Sequence, residues 1–411
     1  MTTDTGATKQ LPTGIQLTPL DPEFQREPYP ILAQMREAEP VHYDSVLKRW
    51  LLFRAEEVDA LLRDRSLAVN PKLAGPGSYM AMFLGGADFS HDGEPNMLFA
   101  DPPYHTRLRS LVTKAFSARA VEAMAPRIQE IVDELLDAVE GSAGFDLIAS
   151  FAAPLPTIVI AEMLGVDPAD RDDFKRWSDI GIQGFDPTLS AEKHAEVRQA
   201  EGELDAYLER VLEERKQEPR DDLISMLIAA EVEGDHLSDH EIMAMVSLLL
   251  AAGNVTTTDL IGNGVLALVT NRSAWQKLQA DPSLIKNAVE EMLRYDSPVT
   301  QTGRIPLADT TIGGCPMRAG DSITPSLAAA NHDPALNPDP ERFDITRQSP
   351  KHFSFGGGVH YCLGAPLARL EAQIAVLSLV RRFPNLRIAG EALEWRRIPS
   401  FRGLAKLPMI T

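Results

Sequence analysis

The pattern of apolar and polar residues predicts a chain that is mainly helical. Apolar residues recur at helical spacing through the middle of the chain, and the longest such segment begins after Ser238 and runs to about Asn271. Ser238 and Glu241 have the spacing of a capping box at its start. At 1.5 Å per residue, this central helix would be roughly 50 Å long and would cross the whole molecule.

Helical spacing also marks shorter segments on both sides of the central helix. These predicted helices span Ala55–Arg63, Pro103–Phe116, Ala120–Val139, Ile158–Leu164, Ala169–Ile180, Ala191–Gln217, Asp221–Glu231, Asp281–Tyr295 and Leu363–Phe383. Short strands are predicted at Arg49–Arg54 and within Pro298–Thr324, and Ala68–Ala100, rich in Gly and Met, is predicted to be a functional or mobile loop. We therefore expect a mainly α fold with a minor β part.

The chain shows no sign of division into separate domains. Its 411 residues would suggest two domains on length alone, but no Pro-rich or Ser/Gly-rich linker separates two halves and no repeat period occurs. We expect a flexible N-terminus over residues 1–15 and a single domain over residues 16–411.

Charge and composition exclude several classes of protein. The chain has 59 acidic and 40 basic residues, a net charge of −19, which argues against nucleic acid as a partner. The longest dense apolar stretch, Met243–Gly253, is about half of the ~20 residues that span a bilayer, and Met1–Gly14 carries no apolar signal segment. Two cysteines do not make a disulfide framework. These features predict a reduced, cytoplasmic protein with no membrane partner.

The strongest chemical signal is a cysteine at the end of a Gly-rich loop. Cys362 follows Gly356, Gly357 and Gly358 and precedes a predicted helix, whose N-terminal N–H groups would stabilise a thiolate. One thiolate cannot complete a zinc site, which needs four ligands. Cys362 could instead be a nucleophile, the axial ligand of a haem iron, or an inert buried residue.

This part of the chain resembles the cytochromes P-450, the haem-thiolate monooxygenases, and more specifically their bacterial members. The pattern Phe355-x-x-Gly358-x-x-x-Cys362-x-Gly364 is similar to the cysteine-ligand loop of that family. Other segments match family motifs in the family's order: Asp101-Pro102-Pro103-Tyr104-His105 with Arg109, Ala252-Gly253 with Thr256-Thr257, Glu291-x-x-Arg294, and Pro340-Glu341-Arg342-Phe343. The resemblance extends over effectively the whole chain.

The resemblance implies haem b as cofactor, held between the central helix and the final helix. Cys362 would be the axial ligand of the iron, with Phe355 and Gly364 beside it in the cofactor-binding loop. Four basic residues look like partners of the two haem propionates: His105, Arg109, Arg304 and His360.

A second implied group is structural. Glu291 and Arg294 are three residues apart and share a helix face, and the resemblance implies that Arg342 completes a buried triad with them. An exposed pair at this spacing would have no such role.

The middle of the central helix matches the segment where the family activates O2. Gly253 would let the helix open beside the haem, and the resemblance makes Gly253 and Thr256 the catalytic residues. The family places an acid immediately before this Thr, but the residue here is Val255, so Asn254 or Asp259 with ordered water would have to substitute. Alternatively, the Thr256 hydroxyl merely bonds to the helix carbonyls.

The implied activity is insertion of one oxygen atom from O2 into a C–H bond of a small or medium apolar substrate. The matching pocket positions are Leu248, Ala252, Val299, Thr300, Thr302 and Phe401, and the loop Ala68–Ala100, with Leu84, would cover them. Electrons would come from a separate ferredoxin and its reductase, which could dock on Lys114, Lys351 and Arg369, and we expect a monomer. A peroxide-driven peroxygenase and a non-catalytic haem sensor are the alternatives.

Overall fold

The computed structural model describes residues 11–83, 90–91, 94–185, 189–232, 234–390 and 393–411. Its helices in chain order are α1 (Pro22–Arg26), α2 (Pro28–Ala38), α3 (Ala55–Arg63), α4 (Tyr79–Phe83), α5 (Tyr104–Val112), α6 (Ala118–Ala123), α7 (Ala125–Asp137), α8 (Pro154–Leu164), α9 (Arg171–Gly181), α10 (Ala191–Gln217), α11 (Leu223–Ile228), α12 (Asp239–Thr270), α13 (Arg272–Ala280), α14 (Ile285–Tyr295), α15 (Leu327–Asn331) and α16 (Ala365–Arg382). The strands are short, and most of the regular structure is helical. The prediction of a mainly α fold is therefore confirmed.

The strands form small sheets at the margins of the helices. They are β1 (Val41–Asp44), β2 (Arg49–Leu52), β3 (Leu67–Ala68), β4 (Ser90–His91), β5 (Glu94–Pro95), β6 (Gly144–Asp146), β7 (Glu231–Val232), β8 (Asp235–His236), β9 (Ile305–Pro306), β10 (Thr310–Ile312), β11 (Cys315–Met317), β12 (Ser322–Pro325), β13 (Arg387–Ile388), β14 (Glu394–Trp395), β15 (Leu404–Lys406) and β16 (Pro408–Ile410). One three-stranded sheet has the order β1-β2-β12, antiparallel and then parallel, with Leu51 opposite both His42 and Thr324. Another has the order β13-β16-β6.

The central helix α12 organises the main core. The Ser238 hydroxyl accepts from the Glu241 backbone N–H, and the Glu241 carboxylate accepts from the Ser238 N–H, so the predicted capping box is present. α12 packs against α8, α14 and α16, and 61% of its most apolar window is buried in the protein. By length and composition it is also the one helix within the described ranges that could cross a membrane.

Several predicted boundaries differ from the structure where proline lies near a helix start. The helix predicted over Ala120–Val139 is divided into α6 and α7, because Pro126 lacks an N–H group and is tolerated only in a first turn. The predicted helix Pro103–Phe116 ends at Val112 and continues as a short 3₁₀ turn. The final helix begins at Ala365 rather than Leu363, again with a proline in its first turn.

Two segments expected to be mobile are folded where the structure describes them. Residues 1–10 lie outside the described residues, but the Thr13 hydroxyl and the Gly14 N–H each donate to the Asp44 carboxylate at 3.1 Å. Within the predicted loop Ala68–Ala100, the backbone N–H of the buried Met80 donates to the Ser322 hydroxyl at 2.9 Å. Leu84 of the same loop lies outside the described residues.

Candidate active site

The loop before α16 has a conformation that requires glycine. Gly356 and Gly358 have φ values of +68° and +62°, in the left-handed region that favours glycine. A Cβ atom on Gly358 would also collide with the Leu62 carbonyl oxygen. The loop turns back on itself so that the Cys362 N–H donates to the Phe355 carbonyl at 2.9 Å. This bond fixes Cys362 three residues before α16 begins.

The electrostatic surroundings of the Cys362 sulfur differ from the sequence-based expectation. Burial raises the pKa of the thiol, and this effect outweighs the Gly364 and Ala365 N–H groups and the Arg109 charge, which lower it. The N–H groups at the start of α16 lower the pKa of the thiol as expected, and burial, which the sequence does not show, opposes them. A bound metal ion would make the thiolate, because coordination deprotonates a thiol outright.

Four basic side chains gather beside this loop. The rings of His105 and His360 lie 4.2 Å apart between centroids, and Arg109 donates to the Tyr361 carbonyl at 2.6 Å. Arg304 is 4% exposed and donates to the Gly303 carbonyl at 2.7 Å. All four predicted propionate partners are thus close to the cysteine loop.

Among the described residues, no acidic side chain forms an ion pair with the basic cluster, and Asp101 acts on it only through its charge. Burial lowers the pKa of His360 to about 3, and the neighbouring charges of His105, Arg304 and Arg109 lower it further. Burial likewise lowers the pKa of Arg304 to about 10, with Asp101 opposing the shift. The Nδ1 atom of the buried His105 has no hydrogen-bond partner in the described part of the chain. A ligand with carboxylate groups, such as the two propionates of haem, fits this cluster.

The buried network next to the loop contains a different arginine from the one predicted. Arg294 donates to both carboxylate oxygens of Glu291, at 2.7 and 2.9 Å, and both side chains are fully buried. The third member is Arg347, whose Nε lies 3.2 Å from Glu291 and whose side chain is 13% exposed. Arg342 was the wrong choice, because its side chain is 67% exposed and pairs with Asp344.

The Glu291 network holds the segment that leads to the cysteine loop. Arg294 donates to the Pro340 and Arg342 carbonyls at 2.8 and 3.3 Å, and the Asp344 N–H donates to Glu291 at 2.8 Å. Arg347 was not predicted because nothing in the sequence distinguishes it from other basic residues downstream of the Pro-rich segment.

A second ion-pair network supports the cysteine loop from the other side, and sequence reasoning missed it. Glu290 accepts from Arg369 at 2.6 Å and from His352 at 3.0 Å. Although burial raises the pKa of Glu290, these two partners lower it to about 2. Arg369 also stacks over the Phe355 ring at 4.4 Å. Arg369 therefore belongs to the support of the loop and is a poor candidate for a docking surface.

The central helix passes the predicted oxygen-activation segment without a break. α12 is continuous through Gly253, where a Cβ atom would meet open space, so the expected interruption is absent. The Thr256 hydroxyl donates to the Ala252 carbonyl at 2.8 Å. The Asn254 amide donates to the Ser178 hydroxyl on α9, and Val255 packs in a small apolar cluster of the C-terminal segment.

The predicted pocket positions come from three separate parts of the fold. Val299 and Phe401 form an isolated β-bridge, and the Thr300 N–H donates to the Ser400 carbonyl at 2.9 Å. The Thr302 N–H donates to the Pro325 carbonyl, whereas Leu248 packs against the main core. Val299, Thr300 and Phe401 are therefore together, and Phe401 links them to α12 through contact with Val255.

Thr300 and Phe401 also line a small, partly open pocket between the N-terminal helices and the C-terminal segment. No cluster of three or more His, Cys, Asp or Glu side chains able to hold a bare metal ion occurs among the described residues. Iron held by the single Cys362 would accordingly need the further ligands that a porphyrin supplies. The loop and the basic cluster thus define a haem-thiolate protein.

Comparison with known proteins agrees with this class. Residues 179–391 match the family model for cytochrome P450. The chain is 43% identical over 403 residues to cytochrome P450 107B1 of Saccharopolyspora erythraea, covering 96% of this chain and 97% of the relative. The structure is similar to that of the Bacillus subtilis cytochrome P450 PksS, with a TM-score of 0.86, 38% identity, and coverage of 95% and 98%. It is also similar to the myxobacterial cytochrome P450 CYP267B1 in complex with myristic acid, with a TM-score of 0.87, 40% identity, and coverage of 95% and 98%.

The chain belongs to the cytochrome P450 family. It has the P450 fold and is a P450 monooxygenase, with haem b as cofactor and O2 as co-substrate. The resemblance stated from the cysteine loop and its companion motifs is thereby confirmed.

Proposed function

We propose that this monooxygenase inserts one oxygen atom into a C–H bond of a small or medium apolar substrate, as a cytoplasmic, monomeric, single-domain protein. The observation that carries the proposal is the Cys362 thiol beside a buried basic cluster that forms no ion pair with an acidic side chain of the described residues. When bound, the haem supplies the activation of O2. The protein supplies binding, orientation and the exclusion of water.

Each residue of the cysteine loop and the basic cluster has a separate part in holding the haem. Cys362 would hold the iron as a thiolate, with Phe355 and Gly364 beside it in the loop and at the start of α16. The two arginines would bind the propionates through charge-assisted hydrogen bonds, and the two histidines would add ring N–H donors. The basic side chains are His105, Arg109, Arg304 and His360.

Gly253 and Thr256 of α12 would face the bound haem. Gly253 has no Cβ and leaves space at the surface of the helix. The Thr256 hydroxyl donates a hydrogen bond to the Ala252 carbonyl, so its oxygen can accept a hydrogen bond from water and align that water for proton delivery. The substrate lies against Ala252, Leu248 and Phe401, together with Val299, Thr300 and Thr302.

Electrons come from a separate ferredoxin and its reductase. Lys114 and Lys351 are exposed and would suit an acidic donor, although the net charge of the whole protein is −19. Arg369 is not part of this surface because Glu290 holds it. The exposed lysines would act mainly on the association rate, since electrostatic complementarity steers encounter.

One observation favours a second candidate, a peroxide-driven reaction. Val255 cannot pass a proton, and a reaction that begins from peroxide needs fewer protons from the protein. The test is to measure hydroxylated product from a library of apolar compounds under three conditions: NADH with ferredoxin and reductase, peroxide alone, and neither. We expect product in the first. Product with peroxide alone would support the alternative, and binding with no product in either would indicate a sensor.

A further inference from the structure

A fully buried ion pair lies on the β1–β2 hairpin. The Nε atom of Arg49 on β2 is 3.5 Å from the Oδ2 atom of Asp44 on β1, and neither side chain is exposed. Neither atom has a hydrogen-bond partner among the residues that the structure describes. Because both charges have left water and the two atoms form no hydrogen bond, their attraction offsets only part of the desolvation cost. The pair therefore adds little stability, and its main consequence is the position of the guanidinium group.

Asp44 is itself held in place by the backbone around it. Its Oδ1 atom accepts hydrogen bonds of 3.1 or 3.2 Å from the Thr13 hydroxyl and from the N–H groups of Gly14, Val46 and Leu47. Arg49 in turn donates through Nη2 to the Leu17 carbonyl at 3.3 Å. The guanidinium group is therefore held against both the hairpin and the N-terminal segment.

The guanidinium group of Arg49 also contacts Gln301 and Tyr79. Its Nη1 atom donates to the Gln301 Oε1 atom at 3.4 Å, and the group lies over the Tyr79 ring, 4.4 Å from the centroid. The Gln301 amide donates to the Tyr79 hydroxyl at 3.4 Å and to the Ser400 hydroxyl at 3.2 Å. Each of these contacts is long and therefore weak, but a planar guanidinium and a planar amide together allow few arrangements. Arg49 and Gln301 thus connect α4, the segment after α14 and the C-terminal turn.

The connected segments carry predicted pocket positions. Gln301 lies between Thr300 and Thr302, and Ser400 precedes Phe401. The Thr300 N–H donates to the Ser400 carbonyl at 2.9 Å. Ser400 has a φ of +68°, a conformation that a residue other than glycine adopts only when its surroundings hold it there. The bonds from Thr300 and Gln301 supply that hold on the turn before Phe401.

We propose that Arg49 and Gln301 position the wall of the substrate pocket and thereby help to determine which apolar substrates the protein accepts. The inference rests on the proposed function, because the pocket positions belong to that proposal. Arg49 orients the Gln301 amide, and the amide holds the turn that carries Phe401. A wall that is ordered before the substrate arrives avoids the cost of ordering side chains on binding. Both are positioning residues, because they act through the wall.

A second glutamine provides a matched control far from these segments. Gln129 on α7 is half-buried like Gln301, and its amide donates to the Ser378 hydroxyl on α16 at 3.1 Å and to the Asp133 carboxylate at 3.2 Å. Gln129→Leu and Gln301→Leu therefore remove the same kind of bond between two elements. Only Gln301 contacts the turn before Phe401.

The experiment measures the binding of two iron ligands of different size to the haem-loaded ferric protein. Imidazole and 4-phenylimidazole both bind iron through a ring nitrogen, and the phenyl group adds apolar bulk that must lie against the pocket wall. Absorption titration gives a Kd for each. Gln301→Leu should raise the Kd of 4-phenylimidazole by roughly threefold to tenfold, as expected for one or two side chains that must be ordered on binding. The Kd of imidazole should stay within about twofold of the wild-type value.

Two smaller changes test single contacts of the Gln301 amide. Ser400→Ala removes the hydroxyl that links the amide to the C-terminal turn, and Tyr79→Phe removes a hydroxyl but keeps the ring beneath Arg49. Each should raise the Kd of 4-phenylimidazole by less than Gln301→Leu does and leave that of imidazole unchanged. These variants keep the test open if Gln301→Leu fails to hold haem. Wild-type affinity in both would exclude the proposed positioning.

The control separates positioning from a general loss of stability. Gln129→Leu should lower the midpoint of urea unfolding about as much as Gln301→Leu, yet keep the Kd of both ligands within about twofold. Haem content and the ferrous–CO spectrum should be the same in all variants. Equal weakening of both ligands in Gln301→Leu, or weaker binding of 4-phenylimidazole in Gln129→Leu as well, would show that Gln301 is only structural.

Turnover separates this proposal from the proposed function. For an apolar compound that the wild-type protein hydroxylates, Gln301→Leu should raise KM by roughly threefold to tenfold and keep kcat within about twofold. Product from the wild type, together with unchanged ligand binding in Gln301→Leu, would overturn the positioning role and leave the proposed function. If the wild type formed no product from any apolar compound while Gln301→Leu still discriminated between the two ligands, the proposed substrate class would fail and the positioning role would stand.

Discussion

The two sides of the cofactor site are held by very different numbers of polar contacts. On the cysteine side, defined by the loop Phe355–Gly364 and its supports, Glu291, Arg294 and Arg347 form one buried network. On the central-helix side, defined by Ala252–Asp259 of α12, the Thr256 hydroxyl bonds only to its own helix. Many polar contacts hold the cysteine side in place, whereas only a few polar groups act on the central-helix side.

The difference shows where each property of the protein resides. A single lost contact on the cysteine side leaves buried charge uncompensated, so changes there should act on stability and haem retention. On the central-helix side, a change at Thr256 leaves packing almost intact and should act on the course of the reaction. Each prediction below tests whether the two sides separate in this way.

The largest effect is expected from breaking the buried pair. Arg294→Leu leaves the Glu291 carboxylate buried without its main partner, which should cost about 3–5 kcal/mol and abolish haem retention. The measurement is the ratio of haem to protein after purification, with urea unfolding of the remaining protein. Lys286→Ala, an exposed change on the same helix, is the matched control and should change neither. Normal haem content in Arg294→Leu would contradict the claim that the buried network of the cysteine side is needed to hold the haem.

A pH-dependent effect is expected at Glu371 on α16. This carboxyl group is fully buried, one of its oxygens has no partner among the described residues, and burial raises its pKa from 4.5 to about 8. The folded state therefore binds one more proton than the unfolded state between about pH 4.5 and 8. Stability should fall in that window by about 1.4 kcal/mol per pH unit as pH rises.

Glu371→Gln should remove this decline. Relative to wild type, the variant should gain about 4 kcal/mol between pH 5 and pH 8, since three pH units each contribute about 1.4 kcal/mol. Urea unfolding of both proteins at the two pH values measures the difference. A variant that is less stable than wild type at pH 8 would show that the carboxylate has a partner in the protein.

A pair of substitutions tests whether Arg347 or Arg342 is the third member of the Glu291 network. Arg347→Gln removes contacts to Glu291 and to the Pro338, Asp339 and Arg342 carbonyls, and hydrogen bonds to charged groups contribute about 1.5–3 kcal/mol. Arg342→Gln removes an exposed pair and should cost less than about 1 kcal/mol. Thermal unfolding of the two variants should rank them in this order. The opposite order would support Arg342, the residue predicted from the sequence, as the third member of the network.

The sequence was sufficient for features that depend on local rules. The capping box at Ser238 fixed the start of α12 to the residue, and the Gly-rich loop located Cys362 before a helix. It was insufficient where distant segments meet. Arg342 and Arg347 look equivalent in the sequence, and only the path of the chain after Pro340 decides which one reaches Glu291. The pKa of Cys362 could also not be predicted from the sequence, because burial depends on the whole fold.

The smallest structural effect is expected at Thr256. Thr256→Ala removes one hydroxyl that bonds within the helix and should change stability by less than about 1 kcal/mol. It should lower product formed per NADH by roughly fivefold, with more peroxide released. Thr258→Ala is a control, because its hydroxyl bonds to the Asn254 and Ala152 carbonyls in the core. Thr258→Ala should lose stability and keep its coupling. Full coupling in Thr256→Ala would make Thr256 structural.

The central claim of this account is that Cys362 is the thiolate ligand of the iron. The ferrous–CO spectrum of the wild-type protein should show the absorption band of a thiolate-ligated haem that names this family. Cys315→Ala, a change in strand β11, should keep the band, because Cys315 belongs to the β10–β11 hairpin and not to the cysteine loop. Cys362→Ala should lose it. A Cys362→Ala protein that keeps the band, or a Cys315→Ala protein that loses it, would contradict the assignment of Cys362 as the thiolate ligand.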